Sequence, residues 1–254
     1  MIERDDRRLQ VGEADLATAT WGTPGAPPDI VMLHDGLGSI DQWRDVPERI
    51  AAITGLSVLA YERPGHGSSL PIPTGPWPTR WLHHEAERLD AVLEHVGAQR
   101  PLVVGHSDGG SIALIAAMNG VDMSGLVSIA AHTWVEGVCR AAIVDMRAET
   151  TRFTFGLSRH HHHPAALFEA WSGVWVSREF GRWDIRPELH AITVPTVVAQ
   201  GDHDEYATDA MVTDTVAAIG DNATAHFIAG GKHIVHHHDP DAVVDLVADA
   251  VDHL

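Results

Sequence analysis

The run Val103-Val104-Gly105-His106-Ser107-Asp108-Gly109-Gly110-Ser111-Ile112-Ala113-Leu114 allows few folds. An apolar stretch ends in G-x-S-x-G (Gly105, Ser107, Gly109) and passes directly into a small-residue, apolar helical pattern. This is the layout of a nucleophile elbow, a strand that turns sharply into a helix with a serine at the apex. The turn presses together the residues two before and two after the serine, so neither has room for a side chain. Gly105 and Gly109 meet that need, and Gly110 lets the helix lie close to the sheet. Ser107 is then held in strained backbone at the carboxyl edge of a strand, with its amide neighbours facing a reactant. A bare G-x-S-x-G also occurs as an ordinary turn; the apolar strand before this one and the uninterrupted helix after it set it apart.

The rest of the chain supplies a sheet for the elbow to sit in. Asp29 to His34, Ser57 to Tyr61, Pro101 to Val104, Leu126 to Ala131, Val194 to Ala199 and Ala223 to Ile228 read as buried strands. Helical spacing covers Val46 to Ile53, Arg80 to Val96, Gly109 to Met118, Ala210 to Ile219 and Pro240 to Val251. Leu9 to Trp21 alternates loosely around Gly12, which suits an antiparallel pair at a sheet edge. Continuous apolar strands alternating with helices predict an α/β fold, a mostly parallel sheet covered on both faces. The rhythm breaks between His132 and His190, a stretch with four tryptophans (Trp134, Trp171, Trp175, Trp183) and no clear strand. The expected organisation is one core domain, residues 1–131 and 191–254, with 132–190 as a helical cap insertion.

Charge and composition exclude several partners. There are 17 basic and 35 acidic residues, a net charge of −18, and Lys232 is the only lysine. Nucleic acid and anionic membrane surfaces are therefore excluded as main partners. Cys139, the single cysteine, cannot form an internal disulfide. The charged N-terminal segment lacks a signal core, and no apolar run is long enough to span a bilayer. A cytoplasmic protein with a small-molecule substrate is expected.

A serine hydroxyl needs a base to take its proton, and the base needs an orienting carboxylate. Both belong in loops at the carboxyl ends of strands, where open parallel sheets bind ligands. Gln200-Gly201-Asp202-His203-Asp204-Glu205-Tyr206 follows one strand, and Ala229-Gly230-Gly231-Lys232-His233 follows the last. Asp239 then caps a helix that has Pro240 at its first position. The chain order is Ser, Asp, His, with Asp202 and Asp204 both open as the acid.

Taken together, these pieces resemble the α/β-hydrolase superfamily over nearly the whole chain. They are the His34 loop, Tyr61-Glu62-Arg63-Pro64-Gly65-His66-Gly67-Ser68, the elbow, Gly201-Asp202-His203-Asp204, and Gly231-Lys232-His233 before Asp239-Pro240. The resemblance implies Ser107 as nucleophile and His233 as base and then acid. Its G-x-x-D pattern selects Asp204 as the orienting acid, with Asp202 the runner-up. It implies an oxyanion hole from the amides of Gly36 and Asp108, and no cofactor or metal. Position 35 is commonly glycine in the family. Asp35 stands there instead, and its carboxylate is expected to point away or to pair with a base such as Arg63. Serine rather than aspartate at the elbow argues against haloalkane dehalogenase and epoxide hydrolase chemistry.

Other features have plainer readings. His160 to His163 and His236 to His238 are expected in solvated loops, since consecutive histidines point in different directions and make no i, i+4 metal pair. Trp171 and Trp175 lie four apart and share a helix face. With Trp134 they form either a substrate-lining wall, favouring an apolar or aromatic acyl group, or cap-to-core packing. His34 and His106 read as supporting residues, the Gly65–Ser68 turn as structural, and Cys139 as a small hydrophobe in the cap. The expected activity is that of a cofactor-independent, carboxylesterase-like serine hydrolase acting on a small ester or lactone. C–C bond hydrolysis or a lyase reaction on the same fold is the alternative, and a receptor-like binding module the third.

Overall fold

The computed structural model describes residues 2–253. An antiparallel pair, β1 (Arg4–Val11) and β2 (Ala14–Trp21), opens the chain. Then follow β3 (Ile30–Leu33), α1 (Val46–Thr54), β4 (Val58–Tyr61), α2 (Trp81–Val96), β5 (Leu102–His106), α3 (Asp108–Met118) and β6 (Gly125–Ile129). Three helices come next: α4 (Gly137–Ala148), α5 (Thr150–Leu157) and α6 (Pro164–Trp175). The chain closes with β7 (Thr196–Gly201), α7 (Asp209–Ile219), β8 (Ala223–Ile228), the short α8 (Val235–His238) and α9 (Pro240–Asp252).

The strands form one eight-stranded sheet in the order β1-β2-β4-β3-β5-β6-β7-β8. From β4 to β8 every pairing is parallel. Alternation along the strands divides the core in two. Val31, Leu33, Leu59, Tyr61 and Val103 face α2, α3 and α7, while Ile30, Met32, Val58, Ala60 and Val104 face α1 and α9. Helix α3 is buried from Asp108 to Ala117, which explains why its sequence is apolar all round rather than striped.

β5, at the centre of the sheet, carries the elbow. Ser107 takes φ 52°, ψ −119°, a backbone region costly for any residue with a side chain. Its amide donates to Ile129 O at 2.8 Å, and its carbonyl accepts from Ser111 N at 3.0 Å. A Cβ on Gly105 would lie 2.3 Å from Gly109 O, and one on Gly109 would lie 2.2 Å from Leu33 O. The glycines are thus required by backbone-to-backbone contact.

The stretch 132–190 holds α4, α5 and α6, with a single isolated bridge between Trp134 and Asp184. Phe168, Trp171, Val174 and Trp175 on α6 are buried and, with Cys139, Ile143, Phe180, Ile185 and Leu189, join this stretch to the core. No helix among the described residues is long and apolar enough to cross a membrane.

Candidate active site

The elbow, the loop after β7 and the loop after β8 converge at the carboxyl edge of the sheet. His233 Nε2 lies 3.0 Å from Ser107 Oγ, and His233 Nδ1 lies 3.0 and 2.9 Å from the two oxygens of Asp204. The ring therefore donates from Nδ1 to the carboxylate and accepts the serine proton at Nε2. Burial opposes charge on His233, but the bond to Asp204 and its charge outweigh that and raise the pKa above the ordinary histidine value. Burial likewise pushes the Asp204 carboxyl up, yet the His233 partner and the Tyr206 amide bring it below the usual range. Asp202 does not reach the histidine; its carboxylate accepts from Gly230 N at 2.7 Å and holds the turn before it. Two further bonds fix the base: His106 Nε2 donates to His233 O at 2.8 Å, and His233 N donates to Glu205 Oε2 at 3.1 Å.

The His34 loop lies on the other side of Ser107. Arg63, fully buried, donates to the carbonyls of His34 at 2.6 Å and Asp35 at 2.7 Å. His66 Nε2 donates to Gly36 O at 3.1 Å, so the Gly65–Ser68 turn props this loop. Among the described residues, neither the Gly36 amide nor the Asp108 amide donates to another protein group. Of the two expectations for Asp35, pointing away or pairing with a base such as Arg63, the carboxylate meets the second with a different base, His106. Arg63 takes the Asp35 backbone carbonyl, while the carboxylate accepts from Leu37 N at 2.8 Å and faces His106 Nδ1 at 3.6 Å. Although burial opposes it, the neighbouring His106 and the Leu37 amide hold Asp35 far below the ordinary carboxylate range.

A cavity of about 220 Å³ opens above Ser107. Trp171 and Trp175 line it, together with Ile143, Met146 and Phe153 from the same stretch. Trp134 does not: it lies under Arg186, whose guanidinium stands 4.1 Å from the ring centroid. Of the three tryptophans expected at the site, two are present and the third is a surface cation–π pair. Several lining residues went unrecognised in the sequence, among them Gln42, His132 and Tyr206. His132 has its pKa lowered to about 4, burial first and the nearby His233 second. Cys139, expected as a small cap hydrophobe, is buried and also lines the cavity.

The histidine runs do not lie wholly in solvent as expected. His161 is buried, accepting from Gly67 N at 2.8 Å through Nδ1 and donating to Leu37 O at 2.9 Å through Nε2. His236 is also buried, against Trp43 and His106. In each run the backbone turns one ring inward, because neighbouring residues on a turn or helix point in different directions.

A serine at a strained strand–helix corner, backed by a histidine and a carboxylate from later loops of a parallel sheet, is the arrangement of an α/β hydrolase. The chain belongs to the alpha/beta hydrolase family, whose model matches residues 30–246. Curated relatives include the 2-succinyl-6-hydroxy-2,4-cyclohexadiene-1-carboxylate synthase of Salmonella enteritidis PT4, 27% identical over 259 residues, which span 89% of this chain and 94% of the relative. Among solved structures, the enol-lactonase from Burkholderia xenovorans LB400 superimposes with a TM-score of 0.76 at 20% identity, covering 97% of this chain and all of its own. A serine hydrolase involved in carbazole degradation gives a TM-score of 0.79 at 16% identity, covering 99% of this chain and all of its own. The structural likenesses show the same fold over nearly the whole chain.

Proposed function

We propose that the protein is a cofactor-independent serine hydrolase of small carboxylic esters or lactones, with Ser107, His233 and Asp204 as its catalytic triad. The observation that carries this reading is the unbroken chain from Ser107 Oγ through both nitrogens of His233 to both oxygens of Asp204. In the reaction, Ser107 Oγ attacks the acyl carbon and its proton passes to His233 Nε2. Asp204 holds the Nδ1–H tautomer and balances the imidazolium that forms. The free amides of Gly36 and Asp108 receive the oxyanion, each worth roughly 3 kcal/mol on the scale of such donors. His233 then protonates the leaving alkoxide, and water, activated by the same nitrogen, releases the acyl group. The stretch 132–190 serves as the cap, its Trp171 and Trp175 walling the acyl pocket.

The synthase relatives favour a second reading, a lyase-type reaction on the same machinery. The product in their name carries carboxylate groups, whereas Asp35 and Asp108 line this cavity and, among the described residues, no Lys or Arg does. A polyanionic substrate would enter against that charge, and the hydrolase reading is the better supported.

The test is intact-mass spectrometry after exposure to a fluorophosphonate, beside a p-nitrophenyl ester series of increasing acyl length. One adduct, on Ser107, with turnover of short acyl chains is expected. An adduct without turnover of any ester or lactone would move the assignment to the lyase, and no adduct would sink the activated serine.

A further inference from the structure

Asp108 follows the nucleophile directly, and its side chain faces the cavity rather than solvent. Trp171 Nε1 donates to its Oδ2 at 2.8 Å, which fixes the carboxyl in place. A Cβ on Gly36 would lie 2.4 Å from that oxygen, so the carboxyl is packed against the loop whose amide is to receive the oxyanion. The other carboxyl oxygen takes no hydrogen bond from the described residues.

Among the described residues no cation forms an ion pair with this acid, although the Arg63 charge offsets part of its own. The Arg63 guanidinium is buried nearby, but its terminal nitrogens are committed to the carbonyls of His34 and Asp35 and it makes no ion pair. Burial pushes the Asp108 carboxyl up to about 6, with the Arg63 charge and the Trp171 bond offsetting only part of that effect. It is still largely ionised at neutral pH. The rest of the polar lining is also rich in acceptors: Gln42 Oε1 and His132 Nδ1 are both buried with no partner. Buried acceptors left unpaired are costly, and a ligand that brings donors removes the cost.

A carboxylate with no ion-pair partner beside an oxyanion hole also opposes the reaction, because negative charge grows on the acyl oxygen as the serine attacks. A cation on the substrate would relieve both problems, pairing with Asp108 in the bound state and cancelling its field in the transition state. We infer that the acyl group taken by this site carries a protonated amine next to the scissile carbonyl, with Asp108 as its counter-ion and the Ile143, Met146, Phe153 and Trp175 wall holding an apolar side chain. The substrates are thus esters of apolar amino acids. This rests on the serine hydrolase reading and narrows its substrate class.

The experiment uses two pairs that differ only by the ammonium group, at about pH 7. Turnover is compared for L-leucine ethyl ester and ethyl 4-methylpentanoate, and calorimetric binding for L-leucinamide and 4-methylpentanamide, in the wild-type protein and in Asp108→Asn. The wild type is expected to prefer the ammonium member of each pair about tenfold or more. Asp108→Asn should reduce both ratios to near one; taking ratios cancels any change the substitution makes to the neighbouring oxyanion site. Equal or reversed preference in the wild type, no binding of leucinamide, or a preference that survives Asp108→Asn would overturn the inference. Turnover of both esters without preference would remove the amine and leave the hydrolase. Selective leucinamide binding with neither ester cleaved would remove the hydrolase and leave the amine site.

Discussion

Asp204 meets His233 Nδ1 with both carboxylate oxygens, at 3.0 and 2.9 Å, while Asp202, two residues earlier, points at the amide of Gly230. The two acids can therefore be separated by substitution. Asp204→Asn keeps the shape but loses the charge and lets the wrong tautomer form. A fall in kcat on the order of 10³- to 10⁴-fold is expected, the scale known for triad acids. Asp202→Asn should leave kcat within a few-fold and cost at most about 1 kcal/mol of stability from the weakened turn. Ester turnover and chemical denaturation of both variants decide between them, and equal losses of kcat would reject the assignment of Asp204.

His233 sets the acid side of the rate profile. It must be neutral at Nε2 to take the serine proton, and its pKa is raised above 6.5, chiefly by Asp204 against the effect of burial. Activity should accordingly fall with decreasing pH through a midpoint above 6.5, higher than an unperturbed histidine would give. The same group contributes stability in the opposite sense, present below the unfolded value and lost as pH rises through the folded one. A kcat/KM profile over about pH 5–9 checks the midpoint, and a flat profile would remove His233 as base.

Acid should unfold the protein through other histidines. His34, His66, His132, His161 and His236 are all buried with pKa values lowered, burial being the largest cause in each. The unfolded chain takes up protons near 6.5 that the fold resists, so stability is lost as pH falls through the unfolded value. For a histidine that stays neutral in the fold, the loss reaches about 2 kcal/mol at pH 5. Five such groups outnumber the groups that work the other way, His233 and the raised carboxyls of Asp108 and Glu62, and predict a drop in Tm between about pH 7 and 5. A Tm that rose over this interval would contradict the neutral state of these rings.

The elbow glycines should be intolerant where other glycines are not. Gly105→Ala and Gly109→Ala each force a methyl to within 2.3 and 2.2 Å of a backbone carbonyl oxygen, and about 3 kcal/mol or more should be lost. Gly156, inside α5 with open space around its Cβ position, is the control. Gly156→Ala should stabilise by about 0.5–1 kcal/mol from helix propensity alone. Thermal unfolding of the three variants tests the contrast.

What could be read from the sequence was whatever local pattern and close contact dictate. The central strands announce themselves as continuous apolar runs because both faces are covered, and the elbow does so because Gly105 and Gly109 touch backbone. β8 is an edge strand, exposed along most of its length, and only its position in the α/β rhythm marked it. Long-range partners left no such mark. Nothing near Trp134 in the chain reveals that Arg186 will lie on its ring. Runs of identical histidines carry no periodicity to say which ring turns inward. Gln42 and His132 reach the cavity only because the loops after β3 and β6 end beside the elbow. Asp35 found His106 because Arg63 was already held by two carbonyls.

His161 offers a direct test of how the cap stretch supports the chemistry. Its ring joins three segments: it sits before α6, accepts from Gly67 N and donates to Leu37 O, the residue after Gly36. Only the neutral Nε2–H tautomer satisfies both bonds. His161→Ala leaves a buried amide and a half-buried carbonyl unpaired and should cost about 1–3 kcal/mol. Because Leu37 shares a tight turn with Gly36, releasing its carbonyl should also loosen the proposed oxyanion amide, lowering kcat about tenfold with a smaller change in KM. The loop has other supports, however, in His66 on Gly36 O and Arg63 on the His34 and Asp35 carbonyls. If these suffice, Tm falls while kcat stays put, and His161 fastens the cap without positioning the oxyanion site. Measuring Tm and the kcat–KM split on the same variant separates the two roles.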